Sequence, residues 1–303
     1  MKMLPRRERS IFLSEYQIHK IAVSPEEDGI SLQELLRARG ISRRLLILLK
    51  HIENGITCGG RIVRSIDAVK AGMEIELKIP TERGGAEPNP RLIVPKAYED
   101  EDIIVYCKPA GMPVHESCGH RGDTLSNAFG ADHPGIPFRA VNRLDRDTSG
   151  LCIAAKNKRS ANIPRESVEK VYYAVCEGVI EEPFRIEAPI ARERESAIRR
   201  VVRADGKFAA TNIRPLQNNG QHTLLEIHLE TGRTHQIRVH LSHAGYPLAG
   251  DDLYGGSREF IKRQALHCGK ITFIHPVSRE KISVTADIPE DIMQLVNKCG
   301  GYL

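Results

Sequence analysis

The sequence lacks tryptophan altogether, and aromatic residues make up only 5% of its 303 residues. A surface of stacked aromatic rings, of the kind that binds single-stranded nucleic acid, is therefore not evident. The aliphatic run in the basic stretch near residue 45, Leu45–Leu49, is far shorter than the roughly 20 apolar residues that span a bilayer. The basic first nine residues precede no apolar segment or small-residue cleavage site, so neither a secretory signal nor a membrane partner is predicted.

The seven cysteines are odd in number and scattered, and no two stand at C-x-x-C spacing. This pattern argues against a zinc ribbon and a disulfide framework, and it favours a reducing cytoplasm as the compartment. The sequence also lacks a glycine-rich phosphate-binding loop and a βαβ rhythm, which argues against a doubly wound nucleotide-binding fold. We therefore expect a cytoplasmic monomer that uses no cofactor and no metal.

The net charge of +5 is uneven along the chain. Residues 1–80 hold 14 lysines and arginines against 10 acidic residues, a net of +4, whereas the remainder has a net of +1. Excess positive charge in a small N-terminal segment suits a polyanion such as nucleic acid, although a solvated basic face would give the same count. Hydrophobic residues (41%) and charged residues (27%) are near the globular norm, so a buried core is expected.

Glycine, proline and asparagine cluster at residues 81–91, which predicts a linker between two domains. We assign residues 10–80 to a small α/β domain and residues 92–303 to a larger one. Ser31 and Glu34 match a capping box at the start of a helix. The other elements predicted in the small domain are the end of this helix at Gly40, a helix over 43–53 capped by Ser42, a hairpin turn at Gly59–Gly60 and a strand over 74–79.

The larger domain is rich in residues that alternate as strands, with helical patterns between some of them. Without a βαβ rhythm, this pattern predicts an α+β fold with a mixed, largely antiparallel sheet. The predicted elements are strands over 103–106, 150–156, 170–176 and 221–229, helices over 124–129 and 258–265, and a helix between a Thr234 cap and Gly245.

The densest group of reactive side chains is Asn142–Gly150, with the sequence NRLDRDTSG, between two predicted strands. Loops held by flanking strands are common places for catalytic residues. A polar turn would explain Asp147–Gly150, but it does not explain Arg143 and Asp145.

Asn142–Leu151 resembles the catalytic motif HRLDxxTSGL of the RluA-type pseudouridine synthases. Asn142 replaces the usual histidine, but it can still hydrogen-bond, so we expect activity to persist. Further segments match the same family in order and extend over nearly all of residues 95–290. They are KPAGMPVH at 108–115, GDTL at 122–125, KVYYA at 170–174, TGRTHQIRVHL at 231–241, and the pair ALH at 265–267 and HP at 275–276.

This resemblance implies that the protein isomerises uridine in RNA to pseudouridine, without a cofactor, a group donor or a net redox change. It places the essential carboxylate at Asp145, which would act either as a nucleophile on the ribose or as a base on a sugar proton. Ribosomal large-subunit RNA and transfer RNA are both compatible as substrates.

The resemblance also assigns roles to other side chains. Arg238 would pair with Asp145, and the helical spacing of Ile237 and Leu241 separately places Arg238 beside an apolar face. Tyr172 would lie against the target base. The residues implied to contact RNA are Arg143, at the place that the flipped-out base has left, Arg233 and His235.

The small domain resembles the RNA-binding fold first described in ribosomal small-subunit protein four. The matching segments are GISRR at 40–44, GGRIV at 59–63 and VKAGMEIEL at 69–77. Arg43 and Arg44 are the candidate RNA contacts, although an ordinary charged helix face would look the same.

Two other functions fit parts of the sequence. One is a non-catalytic RNA-binding or ribosome-assembly protein on the same fold, and the presence of Asp145, Tyr172 and Arg238 together argues against it. The other is a metal-dependent RNA-cleaving enzyme that would use a group of histidines, but no carboxylate motif accompanies them. These histidines are His235, His240, His243, His267 and His275.

Overall fold

The computed structural model describes residues 16–80, 86–117, 119–164 and 167–297. The chain divides after Gly84, and the larger of its two units holds Gly85–Pro134 and Phe138–Leu303. The predicted linker at 81–91 spans this division, and its residues 81–85 lie outside the described part. Each unit has its own hydrophobic core. In the described residues no helix is long and apolar enough to cross a membrane.

The smaller unit packs two helices against a four-stranded antiparallel sheet. Its elements are β1 (Tyr16–Ala22), α1 (Leu32–Ala38), α2 (Arg43–Lys50), β2 (Ile56–Cys58), β3 (Arg61–Ile62) and β4 (Glu74–Pro80), and the strand order is β1-β4-β2-β3. The predicted capping box is confirmed, since the Ser31 hydroxyl accepts the Glu34 N–H and the Glu34 carboxylate accepts the Ser31 N–H. The hairpin turn is also confirmed, with positive φ at both Gly59 and Gly60.

Two details of the smaller unit differ from the prediction. The helix predicted over 43–53 is too long, because α2 ends at Lys50. Asn54 has a φ of 55°, and a Cβ on Gly55 would lie 2.0 Å from the carbonyl oxygen of Leu49, so the chain folds back onto the last turn of α2. Strand β1 was not predicted, because most of its side chains are exposed and its alternation is weak.

The larger unit is built on a ten-stranded sheet. Its strands are β5 (Lys96–Glu99), β6 (Ile103–Lys108), β7 (Arg139–Ala140), β8 (Ser149–Ala155), β9 (Glu169–Glu177), β10 (Phe184–Glu187), β13 (Ala210–Asn218), β14 (His222–Leu229), β15 (Leu266–Ile274) and β16 (Lys281–Thr285). The order is β10-β13-β14-β9-β15-β8-β6-β5, with β16 beside β15 and β7 beside β8.

Other elements of the larger unit lie outside this sheet. They are α3 (Leu125–Asp132), the separate hairpin of β11 (Ile190–Arg192) and β12 (Arg200–Val202), α4 (Gln236–His243) and α5 (Glu290–Asn297). Every strand pairing in the ten-stranded sheet is antiparallel except that of β15 with β8. The predicted α+β fold with a mixed, largely antiparallel sheet is therefore confirmed.

Strand β8 begins within the Asn142–Gly150 motif, at Ser149, and all seven of its residues are buried. Gly150 has a φ of 114°, and a Cβ there would lie 2.3 Å from the carbonyl oxygen of Cys268 on β15. Only glycine permits the two strands to approach this closely. The C-terminal end of the motif is thus fixed within the sheet, between β6 and β15.

The helix predicted over 258–265 is wrong, because this segment has no helical structure. At the end of the segment, the backbone of Ala265 bonds to residues that are remote in sequence. The Ala265 N–H donates to the Ala249 carbonyl, and the Ala265 carbonyl accepts the N–H of Val175 on β9. Pairing with an interior strand of the sheet has overridden the local apolar pattern.

His267 on β15 is a buried histidine that the fold keeps neutral. The residue is only 4% exposed, and its Nδ1 lies 2.9 Å from the Ser149 hydroxyl. Burial lowers the pKa of His267 from 6.5 to about 4. The His267 imidazole is thus protonated less readily in the folded state than in the unfolded chain.

We therefore expect His267 to make stability depend on pH between about 6.5 and 4. The neutral His267 stabilises the folded state above pH 6.5, and this stabilisation is lost as the pH falls. The free energy of unfolding should be about 2 kcal/mol lower at pH 5 for this reason. Urea unfolding of the wild type and of His267→Gln at pH 7 and pH 5 measures this difference. The variant should lose about 2 kcal/mol less than the wild type, and equal losses would show that His267 does not titrate on unfolding.

Candidate active site

Six of the eight predicted site residues line one cleft in the larger unit. The loop before β8, strand β9 and the start of α4 each contribute side chains to it. These six are Arg143, Asp145, Tyr172, Arg233, His235 and Arg238. The other two, Arg43 and Arg44, belong to α2 in the smaller unit.

The loop that carries Asp145 is held from both sides. At its start, the Asn142 side chain accepts the Ile153 N–H (2.7 Å) and donates to the Leu151 carbonyl (3.1 Å), so Asn142 fastens the loop to β8. On the other side, Lys108 is 1% exposed and donates to the carbonyl of Arg146 at 3.0 Å. The two remaining bonds of its ammonium group go to the carbonyls of Pro109 and Met112.

The Asp145 carboxylate lies against the guanidinium of Arg238, with 3.1 Å between Arg238 Nη1 and Asp145 Oδ2. Arg238 is on α4 and 7% exposed, as the apolar spacing of that helix predicted. Its Nε and Nη2 bond to the two carboxylate oxygens of Asp251 at 2.6 and 2.7 Å. Burial opposes the charge on the guanidinium, but the bonds with the two carboxylates outweigh burial and raise the pKa of Arg238.

His235 occupies the N-cap position of α4, one residue after the Thr234 cap that the sequence predicted. His235 has a φ of 58°, and its side chain makes no capping bond to the helix. The imidazole turns instead into the cleft, with Nε2 3.8 Å from Asp145 Oδ2 and Nδ1 2.9 Å from the Tyr254 hydroxyl. Burial lowers the pKa of His235, and the Arg238 charge adds to this effect against the attraction of Asp145.

Tyr172 lies on β9, is 7% exposed and lines the same cleft as Asp145. Burial raises the pKa of its hydroxyl well above the usual value, so the ring enters the cleft as a neutral group. Tyr173 follows it on the strand and is half-buried, on the opposite face of the sheet.

The remaining predicted contacts lie closer to solvent. Arg143 and Arg233 are exposed at the cleft, and Arg233 donates to the Phe208 carbonyl. Arg43 is exposed on α2, whereas the side chain of Arg44 lies outside the described residues.

The five histidines considered as metal ligands do not gather in one place in the described residues. His240 bonds to Thr211 and to the Ala188 carbonyl, and His267 bonds to Ser149. His275 lies near Asp100 and Asp102, the one group with metal-like spacing among the described residues.

The surroundings of His275 do not suit a metal. Its Nδ1 accepts the backbone N–H groups of Val277 and Ser278, so the neutral ring carries its proton on Nε2. Nε2 lies 3.1 Å from a carboxylate oxygen of Asp100 and would have to lose that proton to coordinate an ion. Asp100 and Asp102 are in turn bonded to neighbouring protein groups.

Sequence reasoning missed Asp251 and Tyr254. Asp251 has a side chain with 0% exposure and holds two of the three Arg238 nitrogens. The Tyr254 ring lies 4.9 Å from the Arg238 guanidinium carbon. The segment GDDLYGG at 250–256 could have indicated both residues, because it places acidic residues and an aromatic residue between glycines.

The cleft thus presents a fixed carboxylate beside a buried arginine and a neutral tyrosine. Comparison with known proteins identifies the family to which the chain belongs. A family model described as RNA pseudouridylate synthase matches residues 102–243. The chain belongs to the RNA pseudouridine synthase family, whose members are isomerases.

Individual relatives support this membership over most of the chain. A ribosomal large subunit pseudouridine synthase D of Pseudomonas aeruginosa is 38% identical over 80% of this chain and 83% of its own length. An uncharacterized RNA pseudouridine synthase of Bacillus subtilis, YjbO, is 36% identical over 88% of this chain and 98% of its own length. A solved structure of human RNA Pseudouridylate Synthase Domain Containing 1 is 26% identical, with a TM-score of 0.56, and the match covers 66% of this chain and 86% of that one.

Asp251 should be needed for stability as well as for the position of Arg238. Asp251→Ala leaves a buried guanidinium with one carboxylate, so we expect the free energy of unfolding to fall by about 3–5 kcal/mol. The adjacent Asp252 forms an exposed ion pair with Arg258, so Asp252→Ala is a matched control with a loss below about 1 kcal/mol. Urea unfolding compares the two variants, and similar losses would contradict the role given to Asp251.

Proposed function

We propose that the protein converts specific uridines of ribosomal or transfer RNA to pseudouridine, with Asp145 as the essential carboxylate. The reaction breaks the bond from N1 of uracil to C1′ of ribose, turns the base, and joins C5 to C1′. C5 loses a proton and N1 gains one, so the product is an isomer of the substrate. The ribosomal large subunit is the first substrate to test, because the Pseudomonas aeruginosa relative is named for it. Mapping pseudouridine across cellular RNA with and without the gene would identify the modified positions.

The geometry of Asp145 is the observation that carries this proposal. Its side chain is 29% exposed in the cleft, so a substrate can reach it. Its contacts with Arg238 and His235 both use Oδ2, and in the described part of the chain Oδ1 accepts no hydrogen bond. One oxygen is thus held by the protein and the other is available to attack the ribose or to take a sugar proton.

The other cleft residues fit the handling of a flipped-out base. Tyr172 offers a flat, neutral ring beside Asp145, against which uracil can lie. Arg143 is two residues from Asp145 and exposed, so its guanidinium can occupy the place that the base leaves in the RNA. Arg233 and His235, on the other wall of the cleft, would contact the RNA around the target nucleotide.

Asp145→Asn should remove turnover and leave RNA affinity within about tenfold of the wild type, because phosphate contacts dominate binding. Single-turnover formation of pseudouridine and filter binding measure the two effects. Asp147→Asn is a matched control in the same loop, since Asp147 pairs with Arg146 and not with Arg238. Turnover near the wild-type rate in Asp145→Asn would remove Asp145 from its proposed role.

The smaller unit is proposed to bind RNA through its basic residues. Residues 1–80 carry a net charge of +4, and Arg43 and Arg61 are exposed on α2 and β3. Phosphate groups would be neutralised by such side chains, with release of counterions.

Replacing Arg43 and Arg61 together by alanine should therefore weaken binding and lower its dependence on salt. Each lost phosphate contact reduces the slope of log affinity against log salt by ~0.9 on duplex or ~0.7 on single-stranded RNA. Arg214→Ala is the control, because Arg214 is exposed in the larger unit and already paired with Glu226. A slope unchanged in the double variant would show that these two arginines do not touch RNA.

A further inference from the structure

The Tyr254 hydroxyl connects His235 to the hairpin of β11 and β12. Tyr254 is 4% exposed and ends a short turn after α4. Its hydroxyl oxygen lies 2.8 Å from the backbone nitrogen of Arg200, the first residue of β12, and 2.9 Å from Nδ1 of His235. These are its hydrogen-bond neighbours among the described residues.

The direction of each bond follows from the groups involved. The backbone N–H of Arg200 can only donate, so the hydroxyl oxygen accepts there. The hydroxyl proton then has one acceptor in the described part of the chain, Nδ1 of His235, and leaving it without an acceptor would cost about 1–3 kcal/mol. Nδ1 is therefore unprotonated, and the neutral imidazole carries its proton on Nε2.

The backbone of His235 aims this ring at Asp145. A left-handed φ of 58° is unfavourable for a residue with a side chain and persists where the surroundings impose it, often at functional sites. His235 stands at the start of α4, where a side chain could cap the helix, and it makes no such bond. Its Nε2 lies 3.8 Å from Asp145 Oδ2, just beyond hydrogen-bond distance.

We propose that Tyr254 fixes the tautomer of His235, so that the imidazole presents an Nε2–H to the Oδ2 atom of Asp145. His235 is thereby a positioning residue that completes, together with Arg238, a pair of donors on one oxygen of the carboxylate. A shift of less than 1 Å on binding of RNA would close the remaining gap. The role in the reaction rests on the proposed function, whereas the tautomer is a property of the free protein.

Nitrogen NMR tests the tautomer without any substrate. In protein labelled with ¹⁵N in the histidine rings, the signal lost in His235→Gln identifies His235. We expect a protonated Nε2 and an unprotonated Nδ1 in the wild type, and a mixture of tautomers in Tyr254→Phe, which keeps the ring over Arg238 but removes the hydroxyl. A protonated Nδ1 in the wild type would overturn the proposal, and so would an unchanged tautomer in Tyr254→Phe.

Single-turnover kinetics at saturating RNA test the positioning role. Glutamine at position 235 can accept from Tyr254 and donate to Asp145, whereas leucine can do neither, and both side chains meet the same left-handed backbone. His235→Leu should be slower than the wild type by about 10- to 100-fold, and His235→Gln by less than about tenfold. RNA affinity should stay within about tenfold of the wild type in both, because phosphate contacts dominate binding. Equal rates for the two variants would overturn the role of the Nε2–H.

Matched controls separate this inference from the proposed function. Tyr254→Phe should slow the reaction by about tenfold. Tyr106→Phe removes another buried tyrosine hydroxyl bond, at a residue that does not line the cleft, and should stay within about twofold of the wild type. Equal slowing by both would overturn the proposal. Full activity of Asp145→Asn, or no pseudouridine from the wild type, would instead count against the proposed function, and the NMR result would still decide the tautomer.

Discussion

The buried guanidinium of Arg238 is the constraint around which the candidate active site is arranged. A positive charge removed from water is tolerated only where acceptors replace its hydration. Asp251 supplies two such acceptors from within the protein, the Tyr254 ring covers the cation, and Asp145 supplies the third acceptor from the cleft. The loop that carries Asp145 therefore has one arrangement that satisfies the charge, and Lys108 holds it there through the Arg146 carbonyl.

Three cations near the Asp145 loop carry the same formal charge but differ in their surroundings. Lys108 is fully buried and gives all its hydrogen bonds to backbone carbonyls, so it serves the fold. Arg238 is buried but shared between two carboxylates, so it orients the site. Arg143 is exposed at the mouth of the cleft, where it is available to RNA. Depth below the surface separates these roles, and the fold, not the residue type, sets that depth.

Local signals predicted the parts of the structure that local physics determines. The Ser31 capping box and the Gly59–Gly60 turn each depend on a few adjacent residues, and the apolar spacing around Arg238 placed it correctly near the core. The segment at 258–265 was mistaken for a helix because its backbone partners, on β9 and at Ala249, are remote in sequence. Asp251 was missed because its role depends on a bond to the buried Arg238, which lies 13 residues earlier on α4.

The position of β15 has a consequence for the order in which the enzyme can form. This strand lies between β8 and β9, and it is synthesised after both of them. Until β15 emerges from the ribosome, the sheet consists of two separate halves, one leading from the Asp145 loop and the other carrying Tyr172. Asp145 and its partner Arg238 are themselves 93 residues apart. Because β15 joins the two halves and its Leu266 lines the cleft, the cleft is complete only once this late strand has paired.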